Sequence, residues 1–248
     1  MHTIDINCDL GEGFLFDNQL MPLISSANIA CGFHAGDTNT IKKTIDLCLI
    51  EEVAIGAHPS FKDSINFGRT NMHLEDNELY DLVAEQIELL QRFCRAEGTL
   101  LHHVKPHGAL YNMAALDENM SSIIATVIKE LDASLILYGL SGSYLISEAK
   151  KIGLQTASEV FADRTYQANG TLTPRSQFNA LITNTDDALR QCLQMIEINR
   201  VNTVEGISIP IKADTICIHG DGEHAVDFAK AIHQTFNINN IHLKTVGN

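Results

Sequence analysis

Short apolar runs of strand length recur along this chain, alternate with amphipathic helical stretches, and turn polar on one residue parity near their C-terminal ends. The runs at 3–8, 27–31, 53–57, 100–105, 134–138, 156–161 and 215–219 read as strands. Helical periodicity covers 40–51, 76–97, 119–131, 141–152, 185–199 and 222–235. The second of these opens with Glu75-Asp76-Asn77-Glu78, carboxylates that suit the positive end of a helix dipole, and stops before Gly98. Strand–helix units repeated at this length imply a parallel sheet, open or closed. The stretch 202–212 reads as a short β ribbon, and 241–246 as an added strand or a docked tail.

Residue parity decides between an open and a closed sheet. An ordinary buried parallel strand is apolar on both faces. Here Asp5, Asn7 and Asp9 share one face of the first run, while Ile4, Ile6 and Cys8 share the other. The fourth run sends His103, Lys105 and His107 to one side, the sixth Glu159, Phe161 and Asp163, and the last Cys217, His219 and Asp221. An open doubly wound sheet would gather its polar groups mainly at one switch point. Polar ends on so many strands instead fit a barrel whose inner face opens into a site at the C-terminal ends. No Pro/Gly/Ser-rich linker or fixed-period repeat divides the chain, so residues 1–248 read as one domain.

Charge and composition exclude several classes. With 17 Lys+Arg against 31 Asp+Glu the net charge is −14, which would repel a phosphate backbone, and nucleic acid is not expected as a partner. A 45% hydrophobic fraction with 19% charged residues excludes a disordered chain. No apolar run approaches the roughly 20 residues of a membrane span. The start, Met1-His2-Thr3-Ile4-Asp5, lacks a basic or apolar signal region, so the expected location is the cytoplasm. The 6 cysteines, at 8, 31, 48, 94, 192 and 217, form no Cys-x-x-Cys pair and read as reduced, mostly buried thiols.

The polar groups are of the kinds that carry out hydrolysis. Carboxylates and imidazoles can act as bases toward water, and lysine or arginine can hold an anionic substrate. His34, His58, His107 and His219 lie at or just after strand ends. A lone histidine is more often a satisfied structural residue, but four at equivalent topological positions point to a site. Asp5-x-Asn7-x-Asp9-x-Gly11 resembles the start of a calcium loop, yet the alternating Ile4, Ile6 and Cys8 make it a strand, and Asp17 stands where such a loop needs its bidentate glutamate. No His-x-His or His-Glu-x-x-His spacing is present, so no tightly bound metal is expected. Gly139-Leu140-Ser141-Gly142-Ser143 is not a nucleophile elbow, and Gly36-Asp37-Thr38 lacks the second glycine of a phosphate loop.

The motifs then line up in order. Asp5-Ile-Asn7-Cys-Asp9-Leu-Gly11-Glu12-Gly13 precedes Ser26-Ala-Asn28-Ile-Ala-Cys31-Gly32-Phe-His34-Ala-Gly36-Asp37 and Gly56-Ala-His58-Pro59-Ser60-Phe61. Val104-Lys105-Pro106-His107-Gly108-Ala-Leu-Tyr111-Asn112, Glu159-Val-Phe-Ala-Asp163-Arg164-Thr-Tyr166 and Ile218-His219-Gly220-Asp221 follow. Together they resemble the LamB/YcsF family, over about residues 3 to 227. Two departures are Asn66-Phe67-Gly68-Arg69-Thr70, where the family usually reads Gly-Phe-Gly-Arg-Arg, and Phe178-Asn179-Ala180 after Arg175, where it usually reads Pro-Gly-Ala.

The resemblance implies a single (β/α) barrel of the glycoside hydrolase/deacetylase type, seven-stranded on the count above. It also implies membership of an ATP-dependent 5-oxoprolinase, as its A component, which opens the lactam of 5-oxoproline to L-glutamate together with subunits B and C. ATP, with a divalent cation, is then the expected cofactor, and its site can lie on the partner subunits. On that reading Asp9 or His107 is the base toward water, and His58 and His219 donate or orient. Lys105 stabilises negative charge or pairs with Asp5 or Asp9, and Arg164 or Arg175 holds the substrate carboxylate. Asn7, Asn28, His34, Glu159 and Asp221 complete the expected substrate contacts. Two other readings are open: a metal-dependent hydrolase of a small amide or carbohydrate acting alone, and a non-catalytic component that binds a lactam or carbohydrate.

Overall fold

The computed structural model describes residues 2–219 and 225–247. Strands β1 (His2–Leu10), β2 (Ser26–Ala30), β3 (Ala54–His58), β4 (His103–Val104), β5 (Ile136–Leu140) and β6 (Gln155–Phe161) lie parallel in chain order. The hairpin β7 (Arg200–Asn202) and β8 (Ser208–Pro210) follows, then β9 (Thr215–Ile218) and β10 (Ile241–Leu243). Strand β9 pairs with β6 on one side and with β1 on the other, in the register Asp5↔Thr215 to Cys8↔Ile218, so seven parallel strands close into a barrel. The hairpin is the expected ribbon. The tail resolves as an added strand, since β10 pairs with the start of β1 from His2↔Ile241 to Ile4↔Leu243.

Helices α1 (Asp17–Leu20), α2 (Thr38–Ile50), α3 (Asp76–Ala96), α4 (Gly108–Ala114), α5 (Glu118–Leu131), α6 (Tyr144–Lys151), α7 (Thr185–Ile198) and α8 (Ala225–Ile238) fill the connections. Their starts follow local chemistry. Asp37, Asp117 and Asn184 each accept a hydrogen bond from a first-turn backbone N–H, and Glu75 and Glu78 form a reciprocal capping box at α3. Leu79, Val83, Ile87, Leu90 and Cys94 recur at helical spacing and are all buried. Each large apolar side chain in such a stripe contributes about 1.5–3 kcal/mol on burial, so Val83→Asp would strip α3 from the barrel.

Two sequence expectations shift. The fourth strand shrinks to His103–Val104, although Lys105 and His107 still donate their backbone N–H to the carbonyls of Ala57 and Pro59; Pro106 between them has no N–H to give the other neighbour, and α4 starts two residues after it. The last helix is described from Ala225 onward; its expected start at 222–224, and Asp221, lie outside the described residues. All six cysteines are buried and unpaired by disulfides. No described helix is long and apolar enough to cross a membrane.

The alternation in β1 sorts the two faces. Ile4, Ile6, Cys8 and Leu10 belong to the apolar core between barrel and helices. Asp5 and Asn7 point inward, where their partners come from β2, β5 and β9 around the ring. The barrel interior is therefore a column of polar side chains that rises to the mouth.

Candidate active site

The column begins at Asp5, which is fully buried. Its Oδ1 accepts from Ser25 Oγ at 2.5 Å and Ser26 Oγ at 2.8 Å, and its Oδ2 from Thr215 Oγ1 at 2.6 Å. Ser26 Oγ also lies 3.2 Å from the Tyr138 hydroxyl. Burial raises the Asp5 carboxyl above its ordinary range, and these hydroxyls only partly offset that.

One layer up, Asn7 Nδ2 donates to Thr215 Oγ1 at 2.8 Å, and Asn28 Nδ2 donates to both Asn7 Oδ1 and Asp9 Oδ1 at 2.8 Å. His103 Nε2 bonds Asn28 Oδ1 at 2.9 Å, fixing the orientation of that amide. Above them Lys105 is buried with its ammonium 2.9 Å from Asp9 Oδ1, 2.8 Å from Glu159 Oε1, 3.1 Å from Asn7 Oδ1 and 3.2 Å from Cys217 Sγ. Burial alone would push this ammonium toward neutrality, but Asp9, Cys217 and Glu159 outweigh it and hold the pKa well above its usual value. Burial would likewise raise Asp9, yet the His58 imidazole and the Lys105 ammonium hold it well below the usual carboxylate range. Tyr111, on α4, donates to Glu159 Oε2 at 2.6 Å.

The C-terminal ends of β1 to β4 bring a second cluster to the rim beside Asp9. His58 Nδ1 bonds the Lys105 carbonyl at 2.7 Å, and His107 Nε2 bonds the Phe67 carbonyl at 2.9 Å. The facing nitrogens, His58 Nε2 and His107 Nδ1, are 2.9 Å apart, and His58 Nε2 is 3.3 Å from Asp9 Oδ2. His34 stacks on His107 with ring centroids 3.8 Å apart, places Nδ1 2.8 Å from Ser60 Oγ and Nε2 3.1 Å from Glu12 Oε1. Burial, then His58, pushes His34 down to about 3; burial, then His58 and His34, pushes His107 down to about 2. Both are neutral imidazoles at neutral pH. Phe67 holds its carbonyl toward His107 from left-handed backbone, φ 56°, which is strained for a residue with a Cβ. Gly68, next to it, has no room for a side chain, since a Cβ there would lie 2.9 Å from both His107 and His34.

The opposite rim is cationic. His219 Nδ1 donates to the Asp163 carboxylate at 2.9 Å, and Arg175 Nη2 donates to His219 Nε2 at 2.9 Å. Burial would raise Asp163, but His219 and Arg164 outweigh it and lower its pKa. Arg164 spends its guanidinium on the carbonyls of Ala180 and Thr173, pinning the loop that carries Arg175; burial and the Arg175 charge push it down to about 10.

Between the two rims lies a cavity of about 720 Å³. Of the residues singled out in the sequence, Asp9, His58, Lys105, His107, Arg164, Arg175 and His219 line it. Asn7, Asn28 and Glu159 lie beneath, holding the lining groups, and His34 sits behind His107. Sequence reasoning missed Glu12, Ser60, Phe67 and Arg69. Glu12 stands three residues beyond Asp9 in a turn with Gly11 and Gly13 at positive φ, so strand parity could not place it, although its charge directly after a strand end was a usable signal.

The chain is 54% identical over 239 residues to the A subunit of 5-oxoprolinase from Brevibacillus brevis, covering 94% of each chain. It is 51% identical over 239 residues to the corresponding protein of Bacillus subtilis, covering 94% and 93%. The crystal structure of a lactam utilization protein from Thermus thermophilus superposes with a TM-score of 0.92 at 38% identity, covering 98% and 99%. A family 4 carbohydrate esterase from Streptomyces lividans shares the fold alone, with a TM-score of 0.52 at 11% identity over 99% and 93%. Residues 4–248 match the LamB/YcsF family, and the chain belongs to it.

Proposed function

We propose that this chain is the A subunit of an ATP-dependent 5-oxoprolinase, opening the lactam of 5-oxoproline (pyroglutamate) to L-glutamate with hydrolysis of ATP to ADP and phosphate, together with subunits B and C in the cytoplasm. The observation that carries this reading is the identity of about half its residues, over nearly the full length, with proteins named for that component. The site supplies suitable chemistry. A fully charged ammonium stands at the cavity floor between two carboxylates, where charge develops on a carbonyl under attack.

A five-membered lactam is a stable amide. Transfer of a phosphoryl group to its oxygen makes the ring carbon electrophilic; water then adds there, the C–N bond breaks with a proton delivered to nitrogen, and a second water hydrolyses the resulting acyl phosphate to glutamate and phosphate. Asp9 accepts the hydrogen bond of the attacking water and takes its proton. Lys105 stabilises the oxyanion, and Arg175 with His219 holds the substrate carboxylate. Arg69, Arg164 and Arg175 line the cavity and suit a phosphorylated species. Because the sequence carries no phosphate loop, the nucleotide-binding step falls wholly or partly to the partners.

The test is L-glutamate formation from 5-oxoproline and ATP by this chain with its B and C partners. Glutamate is expected only in the complete mixture, and not when this chain, ATP or the partners are left out. An inactive complete mixture, with partners shown competent alongside a homologous A component, would overturn the reading.

A further inference from the structure

We propose that Glu12, His34, His58 and His107 bind one divalent transition-metal ion of the borderline class represented by zinc and cobalt. No spacing motif marks such a site along the chain, because its donors come from the C-terminal ends of four separate strands, β1 to β4. The hydrogen bonds behind the rings reveal it. His58 Nδ1 and His107 Nε2 are committed as donors, since each faces a backbone carbonyl. Ser60 Oγ donates onward to the Phe61 carbonyl at 3.0 Å and so accepts from His34 Nδ1. With those three nitrogens engaged, His34 Nε2, His58 Nε2 and His107 Nδ1 are the ring nitrogens left to offer a lone pair to a cation.

These three lone pairs and Glu12 Oε1 converge. Glu12 Oε1 is 3.1 Å from His34 Nε2, 3.5 Å from His107 Nδ1 and 4.0 Å from His58 Nε2, and the four donor atoms all lie within 4.8 Å of one another. A tetrahedral ion with bonds of about 2.1 Å needs donors about 3.4 Å apart, the middle of this range. Outer partners that fix the tautomer of each imidazole are what metal-binding histidines characteristically carry. Three imidazoles and one carboxylate favour zinc or cobalt over magnesium or calcium, which take oxygen donors. His34 and His107 stack nearly parallel, at 6°, so loading would splay the two rings to aim both lone pairs at one point. Glu12, His58 and His107 line the cavity, so the ion would be reachable from the substrate side.

The proposal stands independently of the lactam reading and is tested on the purified full-length chain. After stripping with a chelator and dialysis against Zn²⁺ or Co²⁺, one ion per chain is expected by elemental analysis, with the visible bands of four-coordinate cobalt that zinc abolishes. Glu12→Gln and His107→Asn should each weaken binding by about tenfold or more, while His242→Ala, at an exposed position on β10, should not change it. Retention of less than a tenth of an equivalent, equal binding by the ligand variants, or displacement by equimolar Mg²⁺ would overturn it. If both ligand variants fail to fold, the ¹⁵N imidazole shifts of the unmodified chain decide. Zinc-induced changes confined to His34, His58 and His107 support the site, and unchanged shifts, the signature of a shared proton alone, overturn it.

Discussion

Asp5 and Asp9 project from the same face of the same strand, and the two layers they occupy behave in opposite ways. Around Asp5 every partner is a neutral hydroxyl, and burial raises its pKa. Around Asp9 stand an ammonium and an imidazole, which hold it ionised despite burial. A residue type and a strand position thus do not fix the charge of a carboxylate; the groups placed beside it do. The lower layer ties β1 to β2 and β9 by directional bonds, and the upper layer supplies charge to the cavity.

The largest break of this contrast is Lys105→Met. It leaves Asp9 and Glu159 as buried, uncompensated carboxylates, a change that costs about 3–5 kcal/mol of stability in comparable sites. Urea unfolding should show that loss, and glutamate formation should fall by at least about a hundredfold as oxyanion stabilisation goes. Should Lys105→Met unfold at the wild-type midpoint, the upper layer would not depend on its cation.

Asp9→Asn comes next and separates chemistry from folding. Its turnover in the assembled enzyme should drop about 10²–10⁴-fold. Circular dichroism should still report a native fold, because Asn28 and Lys105 keep other partners. Wild-type turnover by this variant would remove Asp9 from the reaction.

Asp5→Asn probes the lower layer. The new amide N–H₂ meets hydroxyls already turned to donate, so the variant should lose about 1–3 kcal/mol of stability with unchanged KM. The pH dependence has a definite sign. Because the folded pKa of Asp5 lies above its ordinary 3.8, the wild-type protein loses this residue's contribution as pH rises from 3.8 through the raised value. The stability gap between wild type and Asp5→Asn should therefore be wider at pH 4 than at pH 7, as read by urea midpoints. A gap that widened with pH would reverse the assignment of the two layers. Tyr111→Phe is the mildest test. It removes one hydrogen bond to Glu159 while Lys105 remains, so about 1 kcal/mol of stability is expected to be lost in the same assay.

Much of the fold was legible because strand and helix periods are local properties. Residues 3–8 alternate cleanly, and the observed β1 keeps that alternation to the mouth. The short helix Gly108–Ala114 escaped notice because a seven-residue segment offers barely two turns of periodicity, after a proline that masks the strand end. Parity placed Asp9, Lys105 and His107 on the cavity wall and Asn7 and Glu159 on the same inward face, one layer deeper, while His58 was found by its place at a strand end. Height along the barrel axis depends on the stagger of neighbouring strands, which no single segment encodes. Ring orientation was equally hidden. The direction of His107 depends on a carbonyl 40 residues away, that of Phe67, and the direction of His34 on a hydroxyl 26 residues away, that of Ser60.

The left-handed backbone at Phe67 has a mechanical consequence. That residue's carbonyl is the stop against which the His107 ring rests, while its own ring lies edge-on to both His34 and His107, at 5.4 Å from each. A peptide held in an unfavourable conformation is a loaded spring, restrained by the contacts on either side of it. If the segment around Asn66 to Thr70 lifted, Phe67 would relax and His107 would be free to turn over, showing its neighbours ring carbons where its nitrogens now stand. A surface loop in that way sets the orientation of a buried ring, and with it what the rim of the barrel offers to its contents.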